Sequence, residues 1–177
     1  MWKKYFFSLL VLLAITCFLP LSASWAQEMN ETINSDITGR WGLGARYGYV
    51  DKENQNIRHE GTASIIFGLS EFTALELEGG LLGDRDMEKE IYSGFVDLLF
   101  RIPINNFAPY LRGGLGAQNH KFRDLDDWDD SFSQRVGGGI EYFFNRNLAI
   151  NGEIIYVWGG DNTFNAPYYR AGIKCYF

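Results

Sequence analysis

Seven cationic and six anionic residues occur at alternate positions of segments that are otherwise mostly apolar or glycine. The cations are Arg40, Arg46, Arg101, Arg112, Arg135, Arg170 and Lys174, and the anions are Glu60, Glu76, Glu78, Asp97, Glu141 and Glu153. An ion taken out of water costs several kcal/mol unless a partner replaces the lost solvent. Nearly equal numbers of opposite sign on one face therefore suggest mutual neutralisation.

Other residues could do different chemistry. Nucleophilic catalysis needs a serine or cysteine with a base in reach. His59 and His120 are the two histidines, and both fall at the edges of polar segments. Ser64, Ser93 and Ser133 lie on the same face as the charges. The stretch "RDLDDWDD" gathers Asp124, Asp126, Asp127, Asp129 and Asp130 around Trp128. A calcium loop of the EF-hand type wants glycine at its sixth position and glutamate at its twelfth. Counting from Asp124, those positions hold Asp129 and Arg135, so the match fails. A solvated acidic loop is the expectation, with Trp128 and Phe132 available for a protein contact. No metal and no cofactor is implied.

The elements that must position these residues read as strands. Period-two alternation marks eight segments: Thr38–Tyr49, Glu60–Leu69, Ala74–Leu82, Tyr92–Ile102, Phe107–Asn119, Phe132–Phe143, Leu148–Trp158 and Tyr168–Phe177. Their connections alternate in kind. "SEFT", "PINN" and "NRN" are short, whereas "VDKENQNIRH", "GDRDMEKEI", "HKFRDLDDWDDS" and "GGDNTFNAP" are long and polar. The face opposite the charges has no charged residue and one amide, Gln134. Aromatics crowd both ends of that apolar face: Tyr47, Tyr49, Tyr92, Tyr156, Trp158 and Tyr169 towards the long loops, and Trp41, Phe100, Phe107, Tyr142 and Phe177 towards the short turns.

Alternation alone does not say which face points inward. A soluble lipocalin-like barrel would place the apolar face inside around a ligand, and a membrane barrel would reverse it. Balanced charges interleaved with glycines suit a narrow interior, and two aromatic bands suit two membrane interfaces. The expected fold is an all-β, eight-stranded, antiparallel up-and-down transmembrane barrel.

Residues 1–26 read as a secretory signal peptide: Lys3 and Lys4, an apolar run from Tyr5 to Leu21, then Ser24-Trp25-Ala26 as a cleavage site. Residues 27–177 are then one domain. The net charge of −6 becomes more negative once the two lysines leave, which argues against nucleic acid as a partner. Only Cys175 would remain in the shortened chain, so an intramolecular disulfide is not expected.

With its leader, its eight alternating segments and its ending "AGIKCYF", the chain resembles the small outer-membrane β-barrels of Gram-negative bacteria, the OmpA/OmpX-like superfamily. The resemblance implies residence in the outer membrane, contact with lipid and lipopolysaccharide, and a C-terminal signal read by the barrel-assembly machinery, here Tyr169, Ala171, Ile173, Cys175 and Phe177. The network expected inside comprises Arg40, Arg46, Glu76, Glu78, Asp97, Arg101, Arg112, Arg135, Glu141, Glu153, Arg170 and Lys174. It would fill an eight-stranded interior, which side chains alone can occupy. The expected function is that of a monomeric structural or interaction component of the cell envelope, whose loops meet an unidentified ligand. A narrow porin-like channel is the alternative, with a lipid-modifying enzyme behind it. No His-x-Ser arrangement of the lipid A deacylase kind is present, and no enzyme is expected.

Overall fold

The computed structural model describes residues 35–52, 55–83, 89–122, 128–159 and 166–177. Eight strands run through them: β1 (Trp41–Lys52), β2 (Gln55–Gly68), β3 (Thr73–Gly83), β4 (Lys89–Arg101), β5 (Phe107–Phe122), β6 (Trp128–Phe143), β7 (Leu148–Gly159) and β8 (Ala166–Tyr176). Each pairs antiparallel with its neighbours in sequence, and β1 pairs with β8, so the sheet closes on itself. Closure removes both edges, the condition for a sheet to cross hydrocarbon without unpaired backbone groups.

The phase of the alternation is the one read from the sequence in all eight strands. On β1, Tyr47 is 60% exposed while Arg46 beside it is 2% exposed. On β5, Leu111 is 68% exposed and Arg112 1%. The apolar face is thus the outer surface, and the charged face lines the interior.

The strand ends differ from the expectation. At the long-loop end β1 continues to Lys52 and meets Gln55 of β2, and β5 continues until Lys121 faces Trp128 of β6. Backbone pairing does not need apolar side chains, so the hairpins persist into polar sequence where the hydrophobic pattern has stopped. Asp129 and Asp130 accordingly lie in β6, whereas Asp124, Asp126 and Asp127 fall outside the described residues. So does the signal peptide call, residues 1–26.

At the short-turn end the first strand begins later than expected, at Trp41 rather than Thr38. Residues 35–40 instead form a strap. Its start is fixed to the β4–β5 turn, where the Ser35 amide donates to the Asn105 carbonyl (3.2 Å) and the Ser35 hydroxyl to the Phe107 carbonyl (3.3 Å). Its end is fixed to β2, where the Gly39 amide donates to the Gly68 carbonyl (2.9 Å) and the Gly68 amide to the Arg40 carbonyl (2.8 Å). In a ring of eight strands β5 stands opposite β1, so the strap crosses the mouth. Gly39 makes the final turn at φ +70°, a conformation that side-chain-bearing residues rarely adopt. At Gly68 a Cβ would strike the Ile37 carbonyl, so glycine lets the strap lie against the wall.

Candidate functional site

The interior is layered. Its middle holds Arg46, Arg112, Arg135 and Arg170 around Glu78, Asp97 and Glu153, contributed by β1, β3, β4, β5, β6, β7 and β8. Arg46 reaches Glu76 at 2.5 Å, Glu78 at 2.7 Å and Glu153 at 3.2 Å. Arg135 binds Glu78 at 2.5 Å and holds Asp97 through its Nε at 2.8 Å and its Nη2. Arg112 reaches Asp97 at 2.5 Å and Glu153 at 3.0 Å. Arg170 bridges Glu78 (2.8 Å) and Glu153 (2.7 Å), and extends to Glu60 at 3.4 Å. Each carboxylate thus meets several guanidiniums, whose planar forks can serve more than one partner. Gly114 faces this layer, where a Cβ would collide with the Asp97 carboxylate.

Nearer the short turns a second cluster centres on Glu141. Arg101 donates to it at 2.7 Å, Lys174 pairs with it directly, and the Tyr176 hydroxyl donates to it at 3.4 Å. Lys174 lies 3.8 Å from Glu76, linking the two clusters. Arg101 also donates to the Ser35 carbonyl at 3.3 Å, tying the strap to the charges. Among the described residues six cations and six anions, with Glu60 among the latter, are buried.

Of the expected network, Arg40 stands apart. It lies just before β1 at the strap's end, donates to the Arg146 carbonyl at 2.5 Å, and sits over the Tyr176 ring at 5.9 Å. The strap that displaces the start of β1 carries Arg40 to the rim. Sequence reading also passed over two phenols that join the network. The Tyr110 hydroxyl donates to Glu153 at 2.6 Å, and Tyr176 closes on Glu141. Their inward phase was available as a signal, since each flanks outward residues on its strand.

Apolar side chains occupy the two ends of the lumen. At the long-loop end Val50, Leu82, Ile91, Phe95, Ile155, Val157, Ala166 and Tyr168 form one buried cluster. Phe95 meets the charged layer directly, with the Arg135 guanidinium 4.0 Å from its ring centre. At the short-turn end Phe143 stacks on Tyr176 at 5.6 Å, and Ile37 of the strap is fully buried.

The remaining candidates are separated by the barrel wall. Ser64 and Ser133 are buried inside, and Ser64 accepts a hydrogen bond from Arg46 (3.2 Å). His59 is outside, exposed, with Nδ1 2.9 Å from the Tyr47 hydroxyl. The His120 and Trp128 side chains lie outside the described residues.

Of the C-terminal set, Tyr169, Ala171 and Phe177 are exposed, and Ile173 is half-buried. Phe177 stacks on Trp41 at 4.5 Å, and its amide donates to the Trp41 carbonyl at 2.8 Å. Cys175 departs from the expectation, for it is 5% exposed.

A closed eight-stranded barrel with a charged lumen and an apolar belt agrees with what the sequence matches. Residues 18–177 match the outer membrane protein beta-barrel domain family. The chain belongs to that family. Among solved structures it is similar to Neisserial surface protein A, at 14% identity and a TM-score of 0.67 over 79% of this chain and 98% of that one. The N-terminal β-barrel domain of Pseudomonas aeruginosa OprF is similar at 16% identity and a TM-score of 0.64, over 79% and 98%. The attachment invasion locus protein Ail of Yersinia pestis gives 13% identity and a TM-score of 0.52, over 79% and 99%. These likenesses are of fold. No curated relative matches the chain. The family places the protein among outer-membrane β-barrels.

Proposed function

We propose that this outer-membrane barrel is a sealed, non-conducting structural or interaction component of the Gram-negative envelope, with its termini and short turns in the periplasm and its long hairpins outside the cell. The observation that carries the reading is the closed lumen. Among the described residues twelve buried charges pair across the interior, an apolar layer lies above them and a strap lies below. An ion entering such a lumen would have to displace charge-assisted hydrogen bonds for which it offers no replacement. Residues 1–26 serve as the cleaved leader, and the C-terminal strand serves as the assembly signal. The barrel acts as a monomer in lipid that includes lipopolysaccharide, and it performs no enzymatic step.

Planar-bilayer recording tests this reading. Silence, or rare and tiny openings, is expected from the purified protein. Sustained step-like conductance of large-channel size would overturn it in favour of a porin-like role.

A further inference from the structure

The two charged clusters are covered by different means, and the strap is the cover that can move. Residues 35–40 belong to no strand. The barrel closes without them, from Gly42 facing Tyr176 across the β1–β8 seam and from the Phe177 amide on the Trp41 carbonyl. Lifting the strap therefore breaks no rung of the eight-stranded sheet. Its bonds are few and unequal. Towards β5 the Ser35 amide, the Ser35 hydroxyl and the Arg101 guanidinium make theirs at 3.2, 3.3 and 3.3 Å, longer than the usual optimum. Towards β2 the Gly39 and Gly68 amides hold at 2.9 and 2.8 Å, and there the chain runs on into β1. Release thus begins at Ser35 and passes through Gly39, and the strap swings on its junction with Trp41.

What lies beneath is arranged to survive the opening. Ile37 is fully buried, and its return to water is the main cost. Against that cost stands Arg101, which the closed strap keeps dry. Among the described residues its Nε and Nη1 are buried and donate to nothing, a penalty that entering water removes. Arg101, Lys174 and the Tyr176 hydroxyl all retain Glu141 when the strap leaves. Among the described residues, no hydrogen bond joins the strap to the layer of Arg46, Arg112, Arg135 and Arg170, so nothing in that layer is released. We propose that the strap is a periplasmic latch: it opens as a local unit and admits water and small solutes to the Glu141 cluster, while the arginine layer keeps the lumen sealed. The proposal rests on the sealed lumen and on the periplasmic placement of the short turns given above.

Accessibility of single cysteines tests the latch, in outer membranes holding the protein with Cys17→Ser and Cys175→Ser. Ala108→Cys, at a fully buried position facing Glu141 across the β5–β6 ladder, reports on the space under the strap. Ala149→Cys, facing Lys174 across the β7–β8 ladder, is a second reporter there. Ser133→Cys, one inward position past Arg135 towards the long hairpins, reports on the space beyond the arginine layer. A small methanethiosulfonate should modify the first two at least about tenfold faster than the third. Ile37→Ser should speed the first two a further tenfold or so, the shift expected from losing one buried isoleucine, and leave the third unchanged. Gel migration before and after boiling confirms that each variant is folded. Equal rates at all three sites, or an equal effect of Ile37→Ser on all three, would mean that the barrel opens as a whole and overturns the latch. Planar-bilayer current through Ile37→Ser beside a silent wild type overturns the latch alone, because the strap would then be the seal. Current through the wild type overturns the sealed reading and the latch with it. Labelling of Ala108→Cys on intact cells by a maleimide too large to cross the outer membrane overturns the orientation, and the periplasmic assignment with it.

Discussion

The middle of the lumen is held by charge and its two ends by apolar contact, and the ends themselves are closed differently. At the long-hairpin end the eight residues of the apolar cluster all come from strands, so the wall supplies its own stopper. At the short-turn end Phe143 stacks on Tyr176 and Ile37 of the strap is fully buried, with the strap pinned at both sides of the mouth. The difference teaches where each kind of seal is needed. Strand residues beyond the charges can exclude water simply by packing. The Glu141 cluster lies close to the rim, and there an added segment of chain supplies both a hydrophobe and a carbonyl, the Ser35 oxygen that Arg101 binds.

The sharpest way to break the middle is at Glu78, which receives Arg46, Arg135 and Arg170. Glu78→Ala strands three buried guanidiniums with too few carboxylates and should cost about 3–5 kcal/mol, as the loss of one partner from a buried pair does. Equilibrium unfolding of the barrel in lipid vesicles would measure it. A loss below about 1 kcal/mol would mean that the remaining carboxylates compensate, and the middle would then be no more demanding than a surface pair.

Next in size is the long-hairpin stopper. Ile155 is 1% exposed within the apolar cluster, and Ile155→Ala should cost about 2–5 kcal/mol in the same assay, at the lower end if neighbours collapse into the space. The two variants should differ in salt response. Charge loss at Glu78 leaves cations whose repulsion added salt can relieve only where water reaches them, whereas the Ile155 cavity should be indifferent to salt.

These two layers were not equally visible in the sequence. Glu76, Glu78, Asp97 and Arg112 announce their face because each interrupts an apolar alternation, and the closed barrel follows from the same pattern repeated eight times. Ile91 and Phe95 give no such signal. In "IYSGFVDLLF" apolar residues occupy both phases, so an inward phenylalanine looks like an outward one until a charge elsewhere on the strand fixes the phase. The strap escaped for another reason: Ile37 and Thr38 continue the alternation into β1, and Gly39 alone marks the break. Which residues of neighbouring strands share a row is also hidden, because register across a barrel is not written in any one strand.

A smaller effect separates the stoppers from the outer rim. Phe177 stacks on Trp41 and caps the β1–β8 seam, and its removal should cost about 0.5–1.5 kcal/mol of stability, the worth of one aromatic pair. The same deletion should lower the amount of barrel assembled in the outer membrane by far more than that loss accounts for, if the C-terminal strand is what the assembly machinery reads. Quantifying folded barrel in membrane fractions beside in vitro stability would separate the two. Parallel losses in both would reduce Phe177 to a packing residue.

The smallest effect concerns the strap and is set by pH. The Thr38 hydroxyl and amide both donate to the Asp36 carboxylate, at 2.6 and 2.8 Å, and these bonds hold its pKa below the usual carboxylate value, with Arg101 and Arg40 adding to the effect. A carboxyl whose pKa is lower folded than unfolded stabilises the folded form fully above its unfolded pKa, about 3.9, and loses that contribution as pH falls through the folded value. The strap should therefore loosen in acid below about pH 4, and Asp36→Ala should loosen it already at neutral pH, by about 0.5–1.5 kcal/mol for the lost hydrogen bonds. Amide exchange is the measurement that matters, because local opening need not change global stability. Protection should fall at Gly39 and Gly68, whose amides bridge strap and wall, while Ile155 and Tyr168 in the opposite stopper stay protected. Equal loss at both ends would mean that the two seals open as one unit and that the strap is a consequence of barrel closure.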